Sequence, residues 1–525
     1  MVPPLTKLVR RCHGRRVRRP ARHGGVIFCL IACAALAACA VGPDYHPPEP
    51  PLPDNFAAAS SLKAVNDQRG GPPQTTQWWR TLRDRELNSL IERAIAASPT
   101  LEIALNRLQQ ARAQEAVVVG AALPAAGAGA GGGWGSGSDL ARGRVSQALV
   151  SAENGAGQFQ VANIIGFDAA WEIDIFGKYR RAIEAAQYDV DAAVAARNIV
   201  LISLVADVAR AYLDLRALQM QLAVLRKNIE VARKYVDFVQ ERFNRGITNE
   251  LDVTLAQREL AQLQAQAAPL IAQIDAARYV IAVLIGEFPE QLGNELKRPA
   301  MLPALPGRIR AGLPIGLLRR RPDIAEAERE LASATALIGV ATADLFPQVA
   351  ITASAGKQTG VSPFVISPIW SVGPAIAAPL LDFGRLDAIV ERADYRAREL
   401  LFAYKQTVLN AFREVDTAID AYAAEQDRLR HLADAVAAAK RAVTLATERF
   451  DRGLIDSLNV IDAERQEYLI EQEYVLAQRS AAAQFVTLHK SLGGGWEDYQ
   501  VFPPIRRPLP AAAAAIRSLL EPNSR

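Results

Sequence analysis

The chain has 525 residues, half of them hydrophobic, and a formal net charge of +4 at pH 7. Eight basic residues and no acidic residue lie in the first 38 positions. Without that segment the chain has 52 basic and 56 acidic residues, and its net charge becomes −4. The basic balance therefore belongs to the N-terminus, and an interpretation as a nucleic-acid-binding protein loses its main support.

An apolar run of 13 residues, 26–38, follows the basic stretch. It is short for a membrane-spanning helix and suits the core of a signal peptide. Leu36-Ala37-Ala38-Cys39 resembles a bacterial lipobox, so we predict cleavage before Cys39 and acylation of its thiol. The alternative is that Cys39 only ends the apolar run. The other three cysteines lie within 1–38, so the predicted mature chain can form no disulfide.

The sequence contains one unit twice. Residues 176–260, shifted by 207 positions, match 383–467 without a gap, and 99–124 match 322–347 at an offset of 223. Each copy predicts two strands, a very long helix, a tight turn and a returning helix. The length allows three or four ordinary domains, but the repeat favours one extended architecture.

Apolar and polar residues alternate over 158–175, which is longer than the usual soluble strand. The second copy repeats this alternation over 366–380. Weaker strand signals precede these two, at 124–135 and 347–356.

Each copy then predicts a helix of 68 residues without Gly or Pro, Lys178–Arg245 and Arg385–Arg452. A straight helix of that length spans about 100 Å. Gly246 and Gly453 follow directly, as left-handed C-caps require. Two long helices with defined ends are thus expected.

The returning helices have good N-cap residues, Asn249 and Asp456. We expect Pro269 to kink the first, and the helices to reach Gly286 and Gly493. Upstream, 78–120 is predicted to be helical with a break at Pro99.

Four strands cannot close a membrane barrel, which needs eight as a usual minimum. Spanning strands would require an oligomer, in which three chains give twelve strands and two give eight. A soluble antiparallel sheet with one buried face fits the alternation equally well. The Ala-rich long helices also indicate neighbouring subunits, because one chain cannot bury both sides of them.

Several short motifs occur together across roughly 39–496. They are Gln77-Trp78-Trp79, Asp84, Gly312-Leu313-Pro314, Leu317 to Ile324, Ala327-Glu328, Ile338 to Ala341 and Phe346-Pro347. In this combination they resemble the lipoprotein branch of the TolC-like outer membrane factor family. The resemblance implies a mainly α fold with a membrane β-barrel: four strands and two long helical hairpins per chain, and a trimer with a twelve-stranded barrel and a periplasmic α-barrel.

The resemblance also implies a function: the lipid-anchored outer-membrane channel of a tripartite efflux pump, passively conducting drugs and other toxic small molecules. The implied partners are two further copies of the chain, outer-membrane lipid, a periplasmic adapter and an inner-membrane transporter, usually of the RND type. The adapter would contact the hairpin tips, although their glycines also have a plain capping role. The tip residues are Arg245, Gly246, Ile247, Arg452, Gly453 and Leu454.

The stretch from Leu458 to Arg465 matches the segment that narrows the periplasmic mouth in this family. By that correspondence Asp462 would form a ring of three carboxylates, with Arg465 one turn away as a latch partner. Copy one has Leu255 at the equivalent position, and Asn459 stands where relatives carry a second acid. The alternative is a solvated Asp near a helix N-terminus.

No enzyme motif, cofactor site or metal-ligand spacing is recognised in the sequence. The rival hypothesis is a periplasmic structural or adapter-like coiled-coil lipoprotein without a pore. The predicted organisation is 1–38 signal peptide, 39–76 tether, 77–286 first repeat, 287–321 linker or equatorial region, 322–493 second repeat and 494–525 irregular tail.

Overall fold

The computed structural model describes residues 40–48, 51, 53, 56–58, 61, 76–135, 160–306, 316, 320–359, 366–455 and 457–499. The predicted signal peptide, Cys39, Asp456 and 500–525 lie outside these residues. The chain divides into two compact units, which are described separately.

The strand unit comprises the described parts of Met1–Gly42, Pro124–Arg181 and Gly339–Leu386. Its antiparallel sheet has the strand order β1-β2-β3-β4, so consecutive strands are neighbours. All four predicted strands are present, including the Ala- and Gly-rich first one. The strands are β1 (Ala125–Gly135), β2 (Gln160–Ile173), β3 (Gln348–Thr359) and β4 (Ile366–Ala377).

The register separates the sheet into an apolar and a polar face. Directly opposed residues share a face, so Ala128, Phe167, Ala355 and Trp370 form one row across the four strands. Phe167 is 70% and Trp370 77% exposed. The same face carries further exposed apolar side chains: Ile165, Ile351, Val372 and Ile376.

The next row lies on the opposite face and consists of Gly127, Asp168, Ser354 and Ser371. The hydroxyl oxygens of the two serines are 2.8 Å apart. Gly166 and Gly356 face each other on this side. A Cβ on Gly166 would lie 2.8 Å from the Ala355 carbonyl oxygen, so the strands approach too closely here for side chains.

The helix unit comprises the described parts of Pro43–Leu123, Ala182–Ile338 and Asp387–Arg525. Helices of the described residues are α1 (Arg85–Ala97), α2 (Pro99–Ala121), α3 (Lys178–Asn244), α4 (Glu250–Leu284), α5 (Pro322–Ala343), α6 (Arg385–Asp451) and α7 (Ser457–Ser491).

The long helices repeat at the predicted offset. Both α3 and α6 have 67 residues, both α4 and α7 have 35, and each bound of copy two lies 207 positions after its counterpart. α4 continues through Pro269. The predicted ends are correct to within two residues.

Two stretches differ from the expectation. β4 ends at Ala377, so Leu380, at the end of the predicted alternation, lies beyond the strand and is exposed. The tail after Gly493 is not wholly irregular, since Glu497–Tyr499 forms a 3-10 turn. The Trp496 indole N–H beside it donates to the Arg320 carbonyl at 3.0 Å, which fixes the turn on the start of α5.

An aromatic cluster lies within the otherwise mainly aliphatic core of the helix unit. Trp78 packs edge-on against Phe485 and stacks on His489 with a ring separation of 5.0 Å. The His489 Nδ1 donates to the Phe485 carbonyl at 3.0 Å, and burial lowers the pKa of His489 to about 4. His489 is therefore a neutral core residue at physiological pH.

The motif residue Asp84 caps α1 and ties it to α3. Its side chain accepts from the backbone N–H groups of Glu86 and Leu87, and the Tyr212 hydroxyl donates to its other oxygen at 2.6 Å. The capped helix end is thus held against the core by a second bond.

Arg321, in the motif from Leu317 to Ile324, connects the start of α5 to the end of α7. It is buried, donates to the Ser491 carbonyl at 2.9 Å and pairs with Asp323 and Glu414. Burial is the largest single effect and lowers its pKa, but the two carboxylates together outweigh it, so the pKa of Arg321 is raised. The motif therefore has a structural role where the two ends of copy two meet.

Candidate functional site

The apolar sheet face is the first candidate surface. Among the described residues, β1 and β4 each pair on one side only, so the sheet is open at both edges. Its apolar face is solvent-exposed in a single chain. Because large exposed apolar patches mark interaction or membrane surfaces, this face is a candidate for one of them. The opposite face carries mainly small and polar residues, although Ile369 also lies on it. This is the alternation of a strand between lipid and water.

The hairpin tips have the predicted geometry. Gly246 has φ +71° and Gly453 φ +70°. The N–H groups of Gly246 and Ile247 donate to the carbonyls of Phe243 and Arg242, at 2.8 and 2.9 Å. Copy two repeats both bonds at the equivalent residues, with the same two distances. Each tip is therefore a Schellman cap, and side chains replacing either glycine would have a strained backbone.

Both tips present a pair of apolar side chains to solvent. Ile247 and Leu251 are exposed in copy one, and their counterparts Leu454 and Leu458 are exposed in copy two. Asn249 caps α4 by accepting from the Asp252 N–H at 3.0 Å, which stabilises the helix start at the first tip. The tips are thus preformed and apolar, as a docking surface requires.

The predicted constriction residues lie on the first turns of α7. Asn459, Asp462 and Arg465 are all exposed. Within the described residues, Asp462 and Arg465 form no ion pair with each other. Leu255 of copy one is also exposed. One chain therefore leaves the Asp462 carboxylate available to solvent.

A charged cluster that the sequence analysis missed links the two hairpins. Lys227 of α3 lies 3.2 Å from Glu467 and 3.6 Å from Glu471 of α7, and Lys440 of α6 lies 2.9 Å from Glu471. Burial and the neighbouring Glu467 raise the pKa of Glu464. The signal was available, because acids at 464, 467 and 471 share one helix face.

Other candidate chemistry is sparse in the part of the chain that the structure describes. It contains no group of three or more His, Cys, Asp or Glu side chains that could hold a metal ion. Two helices, α3 and α4, are long and apolar enough to cross a membrane by length and composition alone. The apolar window of α3 is mostly buried, as in the core helix of a soluble protein.

The sequence profile of the outer membrane efflux protein family matches residues 90–287 and 313–494. The chain belongs to this family. Members are channel proteins that form the outer-membrane component of tripartite efflux pumps. The protein is therefore an outer-membrane efflux channel component, a class connected with multidrug resistance.

Individual family members match over almost their whole length. Nodulation protein T of Rhizobium leguminosarum bv. viciae is 30% identical over 484 residues, which cover 91% of this chain and 95% of that protein. The pyoverdine export outer membrane protein OpmQ of Pseudomonas aeruginosa is 31% identical over 472 residues, which cover 89% of this chain and 96% of that protein. Among solved structures, the outer-membrane channel OprN superposes with a TM-score of 0.76 and is 32% identical in sequence. The match covers 87% of this chain and all of the OprN chain.

These comparisons confirm the predicted family and the TolC-like fold. They also confirm the bacterial outer membrane as the location. The resemblance suggested by the Trp78-Trp79 and 317–324 motifs was therefore correct.

Proposed function

We propose that three copies of this chain form a continuous duct that passively conducts small molecules from the periplasm to the exterior. The observation that carries the proposal is the open four-stranded sheet with one exposed apolar face and one polar face. Three such sheets supply twelve strands, and joining each β4 to the β1 of a neighbour removes every free edge. The apolar face would then meet lipid and the polar face would line the pore.

The energy for transport would come from partners. A periplasmic adapter would dock at the two tips, where Ile247, Leu251, Leu454 and Leu458 offer apolar contacts, and an inner-membrane transporter of the RND type would drive the cargo. The arginines beside both capping glycines would lie at the rim of that contact. No cofactor is needed, because passage through the duct makes and breaks no covalent bond.

Two further roles belong to the proposal. Acylation of Cys39 would anchor the N-terminus in the membrane, since more than one acyl chain gives stable binding. Asp462 would narrow the periplasmic mouth as a ring of three carboxylates, with Arg465 and Asn459 beside it. Exposure of Asp462 in one chain supports this role.

The decisive experiment combines assembly and conduction. The full-length protein, extracted from outer membranes, is expected to run as a heat-modifiable trimer and to give discrete conductance steps in planar bilayers. Cysteines placed on β1 and β4 should crosslink between chains. A soluble monomer without conductance would overturn the proposal and favour the coiled-coil adapter hypothesis.

A further inference from the structure

The segment directly after Cys39 is bound to the strand unit. The Val41 N–H donates to the Phe176 carbonyl at 3.0 Å, at the junction between β2 and α3. Arg181, which is buried, donates to the carbonyls of Val41 at 3.3 Å and Gly42 at 3.4 Å. Residues 40–42 therefore have a defined path at the point where the strand ends and the helix begins.

Two glycines make the space for this segment. A Cβ on Gly177 would lie 2.7 Å from the Cα and Cβ of Ala40, and a Cβ on Gly339 would lie 2.8 Å from the Val41 carbonyl oxygen. Real Cβ atoms essentially never show contacts this short, so Ala at either position would force the segment to move. We call the surface formed by Gly177, Arg181 and Gly339 the tether notch.

Within the part of the chain that the structure describes, the second copy has no such notch. Gly384 is the counterpart of Gly177 and has the same φ of +83°, but a Cβ there would meet no described atom within 4 Å. Ala388 stands at the position of Arg181. The repeat therefore keeps the turn in both copies and adds the notch to the first only. Turn formation alone does not explain Arg181 or the close approach of Ala40.

We propose that the tether notch is the binding site for the segment that follows the acylated cysteine, and that it sets the level at which the lipid anchor leaves the protein. The inference rests on the proposed acylation and membrane insertion. Consecutive Cα atoms are about 3.8 Å apart, so acyl chains on the residue before Ala40 would start near the notch. Gly177 lies between the last residue of β2 and the first of α3. The acyl chains would thus start at the ends of the strands.

This placement has a physical purpose. Acyl chains on a flexible tether hold a protein at a membrane without fixing its depth. A tether bound at the ends of the strands gives the membrane-facing sheet a fixed distance from the lipid headgroups. The depth of the protein in the membrane is then set by two independent features, the apolar sheet face and the bound lipid anchor.

The test uses a spin label on the full-length, acylated protein. The only cysteine of the predicted mature chain is blocked by lipid, so Pro43→Cys gives a single labelled site just beyond the notch. The label should be strongly immobilised in vesicles of phosphatidylethanolamine and phosphatidylglycerol. Adding Gly177→Ala should shorten its rotational correlation time several-fold. Adding Gly384→Ala, which imposes the same backbone strain at an empty site, should leave it unchanged.

A second variant separates binding from folding. Gly339→Ala also blocks the notch but replaces a glycine within α5 by a better helix former, so a mobile label in this variant cannot reflect a weaker helix. Equal mobility in the Gly177→Ala and Gly384→Ala proteins would overturn the inference.

Palmitate incorporation is measured on the same samples. A parent protein that incorporates palmitate and assembles, yet has a mobile label, would refute the notch and leave the duct intact. Failure to incorporate palmitate would refute the lipid anchor, and with it the inferred role of the notch in placing it, even with an immobilised label.

Discussion

The two copies fold alike but are buried differently. Ile202 of α3 is 7% exposed, whereas Leu409, its counterpart on α6, is 65% exposed; Ala195 and Phe402 differ in the same way, at 6% and 65%. Helix bounds are nevertheless shared to the residue. A repeated sequence therefore specifies the helix, whereas burial depends on what lies beside it.

The larger side chains stand on the exposed copy. Phe402 replaces Ala195, so copy two presents more apolar area to solvent than its counterpart could. Each exposed Phe or Leu that becomes covered contributes roughly 1.5–3 kcal/mol. In the proposed trimer, the neighbouring chain supplies that cover.

The largest expected effect on folding and assembly comes from placing a carboxylate at Ile202 of α3 or at its counterpart, Leu409 of α6. Ile202→Asp should prevent folding of the single chain, because it buries an unpaired charge at a cost of several kcal/mol. Leu409→Asp should leave a folded chain that does not trimerise. Circular dichroism reports the fold, and unheated gel electrophoresis reports the trimer. A stable Leu409→Asp trimer would mean that no neighbour covers this face.

A smaller effect concerns His489, whose counterpart in copy one is Ala282. Burial lowers the pKa of His489 to about 4, below the usual value of 6.5. Between these values only the unfolded chain takes up the proton, so this stability contribution is complete above pH 6.5 and is lost as the pH falls towards 4. The loss between pH 7 and pH 5 is about 2 kcal/mol.

His489→Gln should remove that part of the pH dependence. Urea unfolding at pH 7 and pH 5 measures it in both proteins. An equal pH slope in parent and variant would show that His489 is not the group responsible.

The ion pairs between Lys227 of α3 and the glutamates of α7 should contribute less to stability, because the Lys227 side chain is 60% exposed. Lys227→Met should lower the free energy of unfolding by at most about 1 kcal/mol and loosen α3 from α7, which conductance noise would detect. Lys234→Met is the matched control, because Lys234 pairs with Glu230 on its own helix at 3.3 Å. If both variants give the same noise, the cluster does not hold the hairpins together.

The smallest effect on stability is expected where the copies differ in charge. Asp462→Ala should leave the urea midpoint unchanged, because the side chain is exposed, but should weaken block by divalent cations in bilayer recordings. Leu255→Asp is the control on copy one and should not strengthen the block. Unchanged conductance and block in Asp462→Ala would argue against a carboxylate gate.

Much of the fold could be predicted because the local signals agree. The long helices contain no Gly or Pro, a glycine follows each, and the repeat gives two independent observations of every boundary. The strands follow from period-two alternation, and even Ala125–Gly135 forms because β2 pairs along its whole length. Tertiary pairing here overrides a weak strand propensity.

The contacts between distant segments could not be predicted. Glu464, Glu467 and Glu471 lie on one helix face, but the sequence does not show that Lys227 and Lys440 meet them. Gly177 and Gly384 each follow a Phe and have the same φ of +83°, yet among the described residues only Gly177 lies against another segment. Periodicity shows which face of an element is apolar, not what that face contacts.

The glycines on the polar sheet face have a consequence for the cargo. Gly127, Gly166, Gly356 and Gly373 all lie on that face, so much of the wall ends at Cα. In the proposed barrel this gives a wider bore than the same number of strands with larger side chains. The glycine positions themselves offer a passing molecule no side-chain hydrogen bond, so polar contacts would be confined to neighbours such as Asp168 and Ser354. Such a wall would allow larger molecules to pass at the glycine positions than the same strands with side chains there.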